Sequence, residues 1–120
     1  MKNNSVFEYD LGVVGLGYVG LPLAVESANS GLNVVGYDIN SERVEMINNG
    51  NSPIEDISNE ELSKSLERFH STTESKKLSN CRNIVISVPT PLTDYQPDLS
   101  YVINAAKTVG ENLVENQVII

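Results

Sequence analysis

Short apolar runs alternate along this chain with longer stretches whose apolar residues recur at helical spacing, and Gly, Pro, Asn or Ser marks each switch. A strand is expected from about Phe7 or Asp10 to Val14. A helix carrying Val19, Leu23, Ala24 and Ala28 follows, with Gly31 as its stop. Val34 to Asp38 is nearly all apolar, as a strand covered on both faces must be. A second helix starts near Asn40 or Ser41 and buries Val44 and Ile47 ahead of Gly50. Residues Asn51 to Ile57 form a loop. Ser58-Asn59-Glu60-Glu61 is a capping box that opens a third helix, with Leu62, Leu66 and Phe69 on one face.

A short strand from Phe69 to Thr72, a helical turn at Lys76-Lys77-Leu78 and a buried strand from Asn83 to Val88 come next. Pro89-Thr90-Pro91 ends that strand, because proline cannot donate to a ladder and disfavours a helical predecessor. Asp98 is expected to cap a helix that turns Leu99, Val102, Ile103, Ala106, Val109 and Leu113 inward, and Gln117 to Ile120 starts a fifth strand. This alternation predicts an α/β fold with a doubly wound parallel sheet, strand order 3-2-1-4-5, in three α/β/α layers. Met1 to Ser5 read as a disordered start, and residues 1–10 as an N-terminal extension to a single domain over 11–120.

Chemistry concentrates at the first strand–helix junction, Gly15-Leu16-Gly17-Tyr18-Val19-Gly20, with Asp38 about 20 residues on. The spacing G-x-G-x-x-G gives each glycine a task in a Rossmann-like unit. Gly15 makes the turn, Gly17 lets a pyrophosphate approach the backbone, and Gly20 brings helix and strand close. Free N–H groups around Tyr18 and Val19 would face the phosphates, favoured by the helix dipole. Pro22 sits in the first helical turn, where its missing N–H costs little. Asp38 would accept from both ribose hydroxyls and repel a 2′-phosphate, so NAD is favoured over NADP. A glycine-rich turn without a ligand is the alternative. Strand, helix and acid in one βαβ unit weigh against it.

The 120 residues suffice for one domain, and the composition is that of an ordinary globular protein. A net charge of −8 without a clustered Lys/Arg face makes nucleic acid and anionic membrane poor partners. No apolar run approaches membrane-spanning length, and residues 1–10 carry no signal-peptide core. The single cysteine, Cys81, excludes an internal disulfide framework and fits a reducing cytoplasm.

Four blocks in order carry a family resemblance: Gly15-Leu16-Gly17-Tyr18-Val19-Gly20-Leu21-Pro22-Leu23-Ala24, Tyr37-Asp38-Ile39-Asn40 with Arg43, Val88-Pro89-Thr90-Pro91, and Pro97-Asp98-Leu99-Ser100-Tyr101-Val102. From about Leu11 to Ile120 the chain resembles the N-terminal NAD-binding domain of the UDP-glucose/GDP-mannose dehydrogenases, the nucleotide-sugar 6-dehydrogenases. The resemblance implies oxidation of a sugar C6 alcohol, carried on a nucleotide diphosphate, to a carboxylate with two NAD reduced, for cell-surface polysaccharide. It implies a cofactor site of Gly15, Leu16, Gly17, Tyr18, Val19, Gly20, Asp38, Arg43, Val88, Pro89 and Thr90. Tyr18 and Val19 would offer amides to the pyrophosphate, Asp38 would hold the ribose, Arg43 would flank the adenosine and Thr90 would lie against the cofactor.

The family's catalytic Cys, Lys and Asp lie in later regions absent here, so the chain looks like an excised domain unable to turn over substrate alone. No catalytic residue is assigned within it. The full-length protein is expected to be a homodimer. The segment from Gly50 to Ile57 resembles the UDP-N-acetylhexosamine branch more than the UDP-glucose branch.

Cys81 reads as a small inert thiol, since no activating His or Lys accompanies it. His70 reads as a surface or cap residue. Glu55, Asp56, Glu60 and Glu61 read as solvated acids favoured at a helix start, without metal-ligand spacing. Three rivals remain. The β-hydroxyacid dehydrogenases usually place Met where this chain has Val19 and lack the Pro-Thr-Pro segment. A methyltransferase-type domain grips a ribose but has no diphosphate to cradle. A non-catalytic Rossmann module would have no use for an intact phosphate loop.

Overall fold

The computed structural model describes residues 7–120, so the disordered start expected at Met1 to Ser5 lies outside the described residues. Five parallel strands form one sheet: β1 (Tyr9–Val14), β2 (Val34–Tyr37), β3 (Phe69–Thr72), β4 (Cys81–Ile86) and β7 (Val118–Ile119), in the order β3-β2-β1-β4-β7. This is the expected doubly wound order. The fifth member is seventh in the chain because an antiparallel hairpin, β5 (Leu92–Thr93) and β6 (Gln96–Pro97), precedes it. Asp94 and Tyr95 turn that hairpin at φ of 53° and 64°. Tight hairpins favour Asn-Gly or Asp-Gly there, so Asp-Tyr leaves no recognisable signal.

Alternation within the strands sends side chains to two separate cores. Leu11, Val13 and Val34 pack with Leu16, Leu21, Ala24, Val25 and Ala28 under α1 (Gly20–Asn29), with Ile47 of α2 (Ser41–Asn48), and with Leu62 of α3 (Asn59–Ser65). Val14, Val35 and Ile84 pack on the opposite face with Leu78, Cys81 and with Ala105 and Val109 of α4 (Ser100–Glu111). Each face of the sheet is therefore covered, which is why β1 and β2 are almost wholly apolar.

Local capping chemistry sets the helix boundaries. The Asn40 side chain accepts the Arg43 N–H at the start of α2, and Ser58 and Glu61 complete the expected capping box of α3. Phe69 belongs to β3 and not to the face of α3, whose Leu62 is the buried member.

Four expectations change. The buried stripe of α1 is Leu21, Ala24, Val25 and Ala28, because the helix starts at Gly20 and leaves Val19 exposed ahead of it. β4 begins at Cys81 and ends at Ile86. It stops where its neighbour β1 turns away after Val14, two residues before Val88 and the prolines. α4 buries Ala105 and Val109, whereas Leu99, Ile103 and Leu113 are more than half exposed and Ala106 is also exposed. The cap residue of α4 is Leu99, and Asp98 serves one position earlier by accepting the Ser100 N–H at 2.9 Å.

Cys81 lies within β4, opposite Tyr9, and is fully buried. Burial, with the Glu8 carboxylate as the second cause, pushes its thiol up to about 12. A Cβ added at Gly12 would come within 2.7 Å of its Sγ and 3.4 Å of a Leu78 methyl. Gly12→Ala should therefore cost about 1–3 kcal/mol by overpacking. Cys81→Ala should recover part of that loss in the double variant, and strictly additive denaturant energies would place the clash elsewhere.

Ionisation of Cys81 should also be visible. An unfolded thiol ionises near pH 8.5 (about its ordinary value), so the folded chain binds the proton more tightly. The thiol's contribution to stability is complete below the unfolded value and is lost as pH rises toward the folded one. Urea midpoints should fall between about pH 9 and 11, less so in Cys81→Ala.

Candidate functional site

β1 and β2 end side by side, and the chain leaves β1 through Gly15 at φ of 97°, a conformation that L side chains rarely adopt. A Cβ there would also stand 2.9 Å from the Ser87 carbonyl oxygen. At Gly20 an added Cβ would overlap the Gly15 carbonyl oxygen and stand 2.5 Å from Ser87 Oγ, so α1 sits directly on the turn that precedes it. Gly17 differs. The nearest atom to its added Cβ is Arg43 Nη1 at 3.9 Å, and the backbone there faces open space.

The first turn of α1 is bare. Val19 is its cap residue and makes no side-chain hydrogen bond, and no acid lies in the first turn. The Gly17, Tyr18 and Val19 N–H groups have no backbone acceptor among the described residues. By contrast, Asn40, Ser58 and Asp98 each supply an oxygen to the first turn of α2, α3 or α4. Of the four α-helices among the described residues, α1 presents its orphan amides and positive dipole end to the opening between β1 and β4.

Opposite that turn stands Asp38, one residue past β2 and only 9% exposed. Its Oδ2 accepts the Leu16 N–H at 2.9 Å and its Oδ1 accepts the Asn40 N–H at 2.9 Å. Arg43, one turn into α2, places Nη1 3.5 Å from the same Oδ2. The carboxylate thus joins the glycine turn to the start of α2.

A cleft of roughly 720 Å³ opens between these groups, within the usual range for small-molecule sites. Gly15, Leu16, Gly17, Tyr18, Val19, Asp38, Arg43, Val88 and Pro89 all line it. Gly20 is buried behind the turn, and Thr90 is exposed beyond the strand end, outside the lining. Tyr37 is partly buried against the second core and borders the cleft.

Sequence reasoning missed two contributors. Ser87 donates its hydroxyl to the Gly15 carbonyl at 2.9 Å or the Val14 carbonyl at 3.2 Å, tying the end of β4 to the glycine turn. Its only signal was a polar residue closing an apolar run. Ser100, Tyr101, Asn104 and Thr108 form the α4 wall of the cleft. Their spacing of about one turn was legible, but the apolar stripe drew attention to the other face.

Cys81 is far from this arrangement in character, buried and with its thiol raised. His70 is exposed on β3 at the sheet edge, and Glu61 is engaged in its capping box. Among the described residues, no three His, Cys, Asp or Glu side chains converge where a metal could sit, and no helix is long and apolar enough to cross a membrane. A shallower depression of roughly 270 Å³ near Tyr9, Asn33 and Arg68 lies at the amino ends of the strands, away from the glycine turn.

The chain is similar in sequence and in fold to known proteins. The UDP-N-acetyl-D-glucosamine 6-dehydrogenase of Salmonella typhi is 40% identical over 117 residues, 97% of this chain and 27% of that protein. The solved UDP-D-ManNAc dehydrogenase of Pyrococcus horikoshii superposes with a TM-score of 0.85 at 38% identity, covering 91% of this chain and 27% of that one. GDP-mannose dehydrogenase of Pseudomonas aeruginosa, solved as a ternary complex, gives 0.85 at 28% identity over 92% of this chain and 27% of its own. The chain thus spans little more than a quarter of the relatives it matches. Residues 9–120 match the NAD binding domain of the UDP-glucose/GDP-mannose dehydrogenase family, and the chain belongs to that family.

Proposed function

We propose that the cleft holds NAD with its pyrophosphate against the Gly17, Tyr18 and Val19 amides and its adenine-side ribose on Asp38. The observation that carries this reading is the uncapped first turn of α1 facing open space at Gly17, with a buried carboxylate on the opposite lip. A diphosphate satisfies the amides and the dipole at once. Arg43 would flank the adenosine, and Tyr101, Asn104 and Thr108 would wall the cleft beside it. Val88 and Pro89 would extend the path past β4, with Thr90 on its exposed continuation. Bound NAD supplies a hydride acceptor, and the residues of this chain bind and orient it.

The protein to which this domain belongs is proposed to oxidise the C6 alcohol of a UDP-sugar to the uronic acid with two NAD, serving surface polysaccharide synthesis. The names of the Salmonella typhi and Pyrococcus horikoshii relatives and the segment from Gly50 to Ile57 favour a UDP-N-acetylhexosamine over UDP-glucose. Sugar recognition and the reacting groups are assigned to regions of the relatives that this chain does not match. A cytoplasmic homodimer completes the reading.

Binding and folding separate at two glycines. Gly17→Val adds atoms only to the open side, so it should leave the melting temperature near that of the parent and weaken NAD by more than about tenfold in a calorimetric titration. Gly20→Ala should instead lower stability by about 3 kcal/mol or more, through its overlap with the Gly15 carbonyl. Parallel titration with S-adenosylmethionine tests the rival ligand. Undiminished NAD affinity in Gly17→Val, or preference for S-adenosylmethionine, would remove the diphosphate from this turn.

A further inference from the structure

A domain of this architecture meets the adenine-side ribose either with an acid that takes the 2′-hydroxyl or with an arginine that takes a 2′-phosphate. This chain has both, and they touch. Arg43 Nη1 lies 3.5 Å from Asp38 Oδ2, with the side chains 36% and 9% exposed. The buried carboxylate also takes two main-chain N–H groups and so is fixed in place, whereas Arg43 is the more exposed partner on the rim. No ion pair other than that with Asp38 is made by Arg43 among the described residues.

We propose that Arg43 is a second determinant of cofactor choice: a latent site for a 2′-phosphate, kept engaged by Asp38, so that the pair and not Asp38 alone sets how strongly NADP is rejected. The proposal rests on the NAD reading of the cleft. Its physical content is charge balance. A group arriving at Asp38 also arrives at Arg43, because the two side chains are within ion-pair distance. With both present, the lip is close to neutral toward a phosphate. Without Asp38 it is cationic, and without Arg43 it is anionic. At a partly solvated lip one such charge is expected to change phosphate affinity by about tenfold.

The Asp38 carboxylate also positions the glycine turn through the Leu16 N–H, so replacing it disturbs both dinucleotides alike. The ratio of NADP to NAD affinity cancels that shared loss, and it is the quantity to read. Four forms of this chain serve: the parent, Asp38→Asn, Arg43→Ala and the double variant, each titrated calorimetrically with NAD and NADP. Arg43→Ala should shift the ratio toward NAD by about tenfold in the parent background and by at least as much in the Asp38→Asn background, where no carboxylate competes for the guanidinium. A ratio that Arg43→Ala leaves unchanged in both backgrounds would overturn the proposal.

Should Asp38→Asn fail to fold, the exposed partner still decides the matter. Arg43→Ala should push the ratio further toward NAD while Arg43→Lys retains it, and an unchanged ratio in Arg43→Ala would overturn the proposal. A parent chain that binds NAD with a ratio indifferent to Arg43 defeats the inference alone. A parent that binds neither dinucleotide defeats the NAD reading, and the inference with it.

Discussion

The site depends on one buried carboxylate. Asp38 is largely withdrawn from water, where an unpaired charge is expensive, and it receives an N–H from each of the two loops it separates. One is the second residue of the glycine turn, and the other opens α2. The anion therefore holds in shape the turn whose remaining amides attract anions. A substitution that empties this position disturbs the turn as well as any contact the carboxylate makes across the cleft. Lost affinity in an Asp38 variant is consequently a weaker test of ribose contact than a change in selectivity between two dinucleotides that share the same turn.

Leaving a helix start uncapped carries a cost of about 1 kcal/mol, and the chain avoids it at α2, α3 and α4. At α1 the cost is accepted, and the surroundings show what makes that possible. Gly20 seats the helix on the Gly15 carbonyl, and the Ser87 hydroxyl bonds the same carbonyl from β4. Backbone acceptors around the turn are thus engaged while the Gly17, Tyr18 and Val19 donors are not. A bound anion that supplied the missing acceptors would stabilise the folded state in proportion to its concentration over its dissociation constant. Stability and ligand binding are linked at this turn by the same unsatisfied groups.

Most of this was legible before any coordinates because main-chain recognition leaves a spacing signature. A positive φ at Gly15, open space at Gly17 and close packing at Gly20 each exclude a Cβ for a different reason, so three glycines at fixed offsets encode them. The capping oxygens of Asn40 and Ser58 were equally readable, since each acts on residues adjacent in sequence. The end of β4 was not. It is set by where its neighbour β1 leaves the sheet, a tertiary event, and the nearby prolines offered a local cause that the strand does not need. Ser87 was hidden for the same reason, because its partners are 72 and 73 residues away.

α4 shows where periodicity runs out. The helix carries two stripes with helical spacing, an apolar one through Leu99, Ile103, Ala106 and Leu113 and a mixed one through Ser100, Tyr101, Asn104 and Thr108. Period alone gives the spacing of both and the orientation of neither. Assigning the apolar stripe inward follows from burial, yet the orientation is fixed by two smaller side chains, Ala105 and Val109, that pack with β4. Once they are seated, the Ser100–Thr108 face turns toward the cleft and the larger apolar residues turn away. Recognition through the backbone of a turn can be read from sequence, whereas recognition through side chains on a helix waits on the packing that sets the helix's rotation.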